Sequence, residues 1–147
     1  GTVVLAEDGE THVHAAALFH PVLPLGAVGR FASIATLALA QAIEGVGGAG
    51  PTATPVWPDR VDVDDATVGT SFVEVTTAVE RPDFVILGVS VDVRALEAAA
   101  GRSYDSSALI AAWLDRLDRW STAYAAQGPA AVVGAVRFRP RGAMSRR

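Results

Sequence analysis

The sequence predicts an α/β (α+β) domain in which a mixed, mainly antiparallel sheet is covered by helices. Three observations predict it. Several segments alternate apolar and polar residues at the two-residue period of a strand. Two segments repeat apolar residues in steps of three and four, the spacing of a helix with one buried side. The chain of 147 residues is half hydrophobic, enough to bury the core of one domain.

The elements follow in order. Residues 2 to 6 (TVVLA) and 12 to 19 (HVHAAALF) read as two strands around the acidic turn EDGE, with Gly9 at the tip of the hairpin. Pro21 and Pro24 break the chain. Residues 26 to 45 then place Phe31, Ile34, Leu37, Ala38, Gln41 and Ile43 close to helical spacing, so a helix packs on the sheet. The run GVGGAGPTATP, residues 45 to 55, ends that helix in glycines and prolines and reads as a loop. Three strands follow: one carrying Val61 and Val63, one in ATVGTSFVEVTTAV, and one in RPDFVILGVSVDV. Residues 84 to 91 of the last are apolar on both faces, which marks a central strand. The final element is a helix from about Ser106 to Tyr124, on which Leu109, Trp113, Leu117, Trp120 and Tyr124 form a core stripe. Residues 129–147 read as a basic tail behind a domain of residues 1–128.

Composition excludes several chemistries. All twelve cationic residues are arginine, so the chain has no lysine, and it has no cysteine. A Walker A phosphate loop, a Schiff base, a cysteine nucleophile and a thiolate metal site are therefore closed to it. No apolar run reaches the length of a membrane span, and the acidic start GTVVLAEDGE is unlike a secretory signal, so a cytoplasmic location is expected. All sixteen acidic residues lie at or before Asp118, whereas Arg119, Arg137, Arg139, Arg141, Arg146 and Arg147 follow it. The basic end reads as a solvated tail or a partner for the acidic body rather than as a nucleic-acid site.

Other constellations fall short of a site. His12 and His14 share a strand face and, with Glu10 or His20, have the residue types of a metal site, but no third ligand is fixed by spacing. Asp62, Asp64 and Asp65 lack the glycine and distal glutamate of a calcium loop. GVGGAG follows a helix, the wrong context for a dinucleotide loop. Neither a catalytic set nor a metal site is assigned.

Two segments carry a family resemblance. VWPDRVDVDDATVGTSFVE aligns without a gap on a W-P-N-D motif followed by an R-K-L-A-G-I-L-x-E strand, placing Trp57, Pro58 and Glu74 on matching residues. Val85-Ile86-Leu87-Gly88-Val89-Ser90-Val91-Asp92 is similar to V-I-G-x-G-I-N. On these residues and the order of elements, the chain resembles the biotin/lipoate A/B protein ligase family over about Thr2 to Gly128. The resemblance implies the class II synthetase-like catalytic-domain fold, with Gly1 falling partway into the family's domain. It also implies a ligand site at Trp57, Pro58, Asp59, Arg60, Gly69, Thr70, Gly88, Ser90 and Asp92. Arg60 has the chemistry to bind a carboxylate-bearing or ureido-like molecule, or else to pair locally with Asp59 at the turn. Small residues at Gly69 and Gly88 either let a flat ring approach the backbone or serve packing.

The departures fall on the chemistry. Val56 stands where the family has a lysine, Asp59 and Arg60 replace its N-D, Ala66-Thr67 replace R-K, and Ser90 and Asp92 replace a glycine and an asparagine. The G-R-G-R-x-x-R-x-W adenylate loop has no counterpart beyond Gly29-Arg30. The expectation is a catalytically degenerate ligase-like domain that binds a small ligand or a protein partner. The alternative is a divergent acyl or biotinyl transferase completed by a segment or subunit outside this chain. Biotin, lipoate and ATP or an acyl-adenylate are the ligands implied if the pocket survives. A carrier domain or a neighbouring enzyme subunit is the partner implied, and an open sheet edge leads us to expect a homo- or hetero-oligomer.

Overall fold

Among the described residues six strands make one sheet, and on β2 and β6 the period-two pattern decides which side is buried. In a computed structural model of the chain, which describes residues 3–8, 11–19, 28–46, 51–56, 59–78 and 81–128, the strands are β1 (Val3–Asp8), β2 (His12–Phe19), β3 (Ala53–Val56), β4 (Arg60–Val63), β5 (Ala66–Ala78) and β6 (Arg81–Asp92). Their order across the sheet is β1-β2-β6-β5-β4-β3, and every neighbouring pair is antiparallel. β6, expected to be central, lies between β2 and β5. On β2 the buried residues are Val13, Ala15 and Ala17, and on β6 they include Val85, Leu87, Val89 and Val91. The registers Val13↔Val91, Ala15↔Val89 and Ala17↔Leu87 put them on one face.

The helices are α1 (Val28–Gly45), α2 (Val93–Ala100) and α3 (Ser106–Gln127). Every residue from Ser33 to Ala40 is buried, more than two full turns, so α1 is covered on all sides. One side meets the sheet, where Thr36 Oγ1 and Ser71 Oγ are 2.7 Å apart. Another meets α3, whose Trp113 Nε1 donates to the Ala35 carbonyl at 3.2 Å and whose Trp120 Nε1 donates to Gln41 Oε1 at 2.8 Å. The order of layers is therefore sheet, α1, α3, and a helix expected merely to lie on the sheet is the middle of the core. Of the aromatic stripe on α3, Trp113 and Tyr124 are buried and Trp120 half-buried.

Two elements go beyond the sequence reading. Three of the four residues of β3 lie in the Gly/Pro-rich run read as loop; all four pair with β4, and Pro55 is accommodated because β3 is an edge strand. α2 begins directly at the end of β6. Asp92 caps it by accepting from the Ala95 amide at 3.0 Å, and Gly101, at φ 72°, ends it. The signal for α2 was present as Asp92, then VRALEAAA, then Gly101, but a strand running into a helix with no loop between them hid it. At the β4–β5 hairpin a two-residue turn places both Asp64 and Asp65 at positive φ, 49° and 68°, the backbone requirement of a type I′ turn. Those aspartates shape a turn. Gly9, Trp57, Pro58 and residues 129–147 lie outside the described residues.

The α2–α3 connection is tied to the end of α1. Tyr104 Oη donates to the Ile43 carbonyl at 3.1 Å, the Tyr104 amide donates to Glu97 Oε2 at 2.8 Å, and Arg102 stacks over the Tyr104 ring at 4.1 Å while donating to the Val46 carbonyl. Burial raises the Tyr104 pKa above the usual tyrosine value, and the Arg102 charge opposes that shift only in part. The folded protein thus keeps this proton to higher pH than the unfolded chain, so stability is full below about pH 10 and falls as pH rises through the folded pKa. Because the chain has neither lysine nor cysteine, no ammonium or thiol side chain obscures the effect of Tyr104. Urea midpoints between pH 9 and 11 are expected to fall for the wild type and to fall less steeply for Tyr104→Phe. Equal slopes would refute the assignment.

Candidate functional site

Strand alternation sorts the sequence candidates before any distance is measured. The face of the sheet turned from α1 carries the residues between the buried ones, and cross-strand register aligns them in rows. One row runs His14, Ser90, Thr70, Arg60 across β2, β6, β5 and β4. The next runs Ala16, Gly88, Phe72, and beyond it lies Leu18, Ile86, Glu74. His14, Thr70, Phe72 and Glu74 are exposed and Ala16, Leu18, Ile86 and Ser90 half-buried, so no described helix lies across this face.

Gly88 and Ala16 are the two smallest residues on this face. The row on one side of them is polar, with His14, Ser90 and Thr70, and the row on the other side holds Leu18 and Ile86 together with the exposed Glu74. Five of the expected ligand residues, Arg60, Thr70, Gly88, Ser90 and Asp92, belong to this face. Gly69 does not: a Cβ there would sit 2.7 Å from Leu39 Cδ2 of α1, so this glycine serves the packing of α1 on the sheet. Asp59 lies in the turn before β4, where its carbonyl accepts from the Ser71 amide at 2.8 Å.

Electrostatics on the face are local. Arg60 Nε lies 3.2 Å from Asp62 Oδ1, which also accepts from Thr67 Oγ1 at 3.0 Å. The arginine therefore pairs two residues along its own strand rather than across the turn to Asp59. Asp62 is a buried carboxylate at 4% exposure, and an adjacent charge and hydroxyl are what make such burial tolerable. Asp92 caps α2 and has His12 Nε2 3.9 Å from its Oδ2. The His12 and His14 rings stack with centroids 6.1 Å apart. Among the described residues no three His, Asp or Glu side chains are grouped to hold a metal ion.

Sequence reasoning missed Phe72, Ala16 and His14 as parts of this face. His14 was legible as an outward residue of β2, and Phe72 as an outward residue of β5. That His14 lies opposite Ser90, and Phe72 opposite Gly88, follows only from strand pairing.

The sequence profile of the Biotin/lipoate A/B protein ligase family matches residues 1–132. The chain belongs to that family. Solved structures agree on the fold of this biotin/lipoate ligase family member. The biotin protein ligase of Aquifex aeolicus superposes with a TM-score of 0.77 at 15% identity, over 94% of this chain and 66% of that one. A biotin protein ligase-like protein of unknown function from Silicibacter sp. gives 0.74 at 16% identity, over 84% and 60%. The biotin protein ligase of Leishmania major, in complex with biotinyl-5-AMP, gives 0.65 at 11% identity, over 99% and 77%. This family member thus spans about three-fifths to two-thirds of the length of the first two. No curated protein matches its sequence. Among its described residues no helix is long and apolar enough to cross a membrane.

Proposed function

We propose that this chain is a catalytically degenerate biotin/lipoate ligase-like domain, occupying residues 1–128 ahead of a basic tail, that acts as a binding module. The observation that carries the reading is the absence of lysine and cysteine from all 147 residues. Acyl-adenylate chemistry needs a fixed cation against carbonyl and phosphate oxygens, worth roughly 10²–10³ in rate for each stabiliser lost. Arginine is a poor substitute, being planar and larger than an ammonium. Arg60 is moreover engaged with the buried Asp62 carboxylate, and releasing it would remove the cation beside that buried charge.

These rows suit a small amphipathic ligand, with polar atoms toward His14, Ser90 and Thr70 and a flat or aliphatic part near Gly88 and Ala16. Biotin, lipoate and an acyl-adenylate have that division of polar and apolar parts, and biotinyl-5-AMP is what the Leishmania ligase holds. The protein partner in this reading is a carrier domain or a neighbouring enzyme subunit, in a cytoplasmic homo- or hetero-oligomer.

Incubation of the purified chain with biotin or lipoate, ATP and a carrier domain is expected to give no transfer above a no-protein control. ATP-dependent transfer by the chain alone would overturn the degenerate reading. A second reading, a working transferase whose cations come from a segment or subunit outside these 147 residues, draws on the longer relatives carrying residues with no counterpart here. In that reading the chain alone is inactive too, and adding the segment or subunit confers ATP-dependent transfer.

A further inference from the structure

Phe72 stands out on the open face because its side chain occupies space that belongs to another residue. It lies directly opposite Gly88 in the β5–β6 register. A Cβ built on Gly88 would fall 2.0 Å from Phe72 Cζ, 2.3 Å from Cε1 and 2.7 Å from Cε2. The far edge of the ring is therefore pressed against the glycine backbone. A bound planar group would make the same contact. Yet 44% of Phe72 remains exposed, the larger of the two exposed bulky apolar residues among those described.

We infer that Phe72 decides whether this face admits a small ligand, because its ring fills from within the slot over Gly88 that a planar group must enter. This rests on the ligand-binding reading above and deepens it. Ring and ligand compete for the same few ångströms above the Gly88 backbone. In the polar row beside the slot His14 and Thr70 are exposed and Ser90 half-buried, so these residues can meet the ligand's polar atoms. With the ring in place a flat molecule must displace it, which costs the Phe72–Gly88 contact and weakens binding. A purely structural account exists too, since an aromatic ring laid over a cross-strand glycine supports a sheet. That account predicts that shortening Phe72 lowers stability and leaves affinity unchanged.

The test compares wild type, Phe72→Ala and Phe72→Ala/Gly88→Val. Each is checked for folding by circular dichroism and urea unfolding, then titrated calorimetrically with biotin and with a non-hydrolysable biotinyl-5-AMP analogue. The expected result is at least tenfold tighter binding of one probe by Phe72→Ala than by wild type, and loss of that gain when valine refills the slot. A gain that survives Gly88→Val would overturn the inference. Equal binding by wild type and a folded Phe72→Ala would overturn it while leaving the ligand-binding reading intact. No binding of either probe by either protein would overturn the inference and the small-ligand reading together.

Discussion

Trp113→Ala is expected to destabilise the protein by about 3–5 kcal/mol, the cost of deleting a buried aromatic side chain and leaving most of its volume empty. Trp113 is 1% exposed and belongs to the same core cluster as Ile34, Leu37 and Ile43 of α1 and Leu109 and Leu117 of α3. Its indole N–H reaches the Ala35 carbonyl in the middle of α1, so the residue fixes the rotation of α3 as well as filling space. Cavity creation supplies most of the loss, because the single hydrogen bond contributes only about 1 kcal/mol. Against a total of roughly 5–15 kcal/mol for an ordinary domain, that is a large share of the stability. Urea denaturation of Trp113→Ala beside Trp120→Ala checks the layering. Trp120 is half-buried and bonded to a side chain rather than to the helix backbone, so its loss is expected to cost distinctly less. Equal costs would mean that α3 does not present Trp113 to α1 as described.

The second large effect is expected at Gly69. Gly69→Val adds three carbons on the side of β5 facing α1, where even the first would meet Leu39 Cδ2 at 2.7 Å. Leu39 is itself 1% exposed and has little room to turn, so overpacking of this kind is expected to cost about 1–3 kcal/mol. Thr70→Val is the control. It changes the adjacent residue on the opposite, solvent-facing side and is expected to shift stability by no more than about 0.5 kcal/mol. Equilibrium unfolding of the two variants separates packing from binding, since a ligand-lining Gly69 would tolerate valine in the apo protein and fail only in ligand titrations.

Much of the fold was legible in the sequence because its signals are local. The alternation His12, Val13, His14, Ala15 requires nothing beyond β2 itself to set two histidines against two core residues. The three-and-four spacing from Leu109 to Tyr124 likewise requires only α3. Where local signals conflicted, the reading faltered. β3 was lost because a four-residue strand among glycines and prolines has poor intrinsic propensity, and it forms because β4 offers it partners. α2 was lost because Asp92 ends a strand and caps a helix at once. The site was half legible. The linear motif that marks small and polar residues at 69, 70, 88 and 90 does not say which of two adjacent strand residues faces the helix, and α1 claims Gly69 while Thr70 turns outward.

What the sequence alone determined is the inventory of chemistry and the grain of the elements. A chain without lysine or cysteine lacks ammonium and thiolate groups in any conformation, and residues two apart on a strand share a face wherever that strand is placed. What only the tertiary structure decided is which groups meet. Arg60 pairs with Asp62 rather than Asp59, Ser90 comes opposite His14, α1 is enclosed by both sheet and α3, and the Phe72 ring lies in the space above Gly88. Each of these depends on register between strands, or packing between layers, that joins residues distant in the chain. The free energy that selects such a pairing is a sum over the whole core and is not written in any local window of residues.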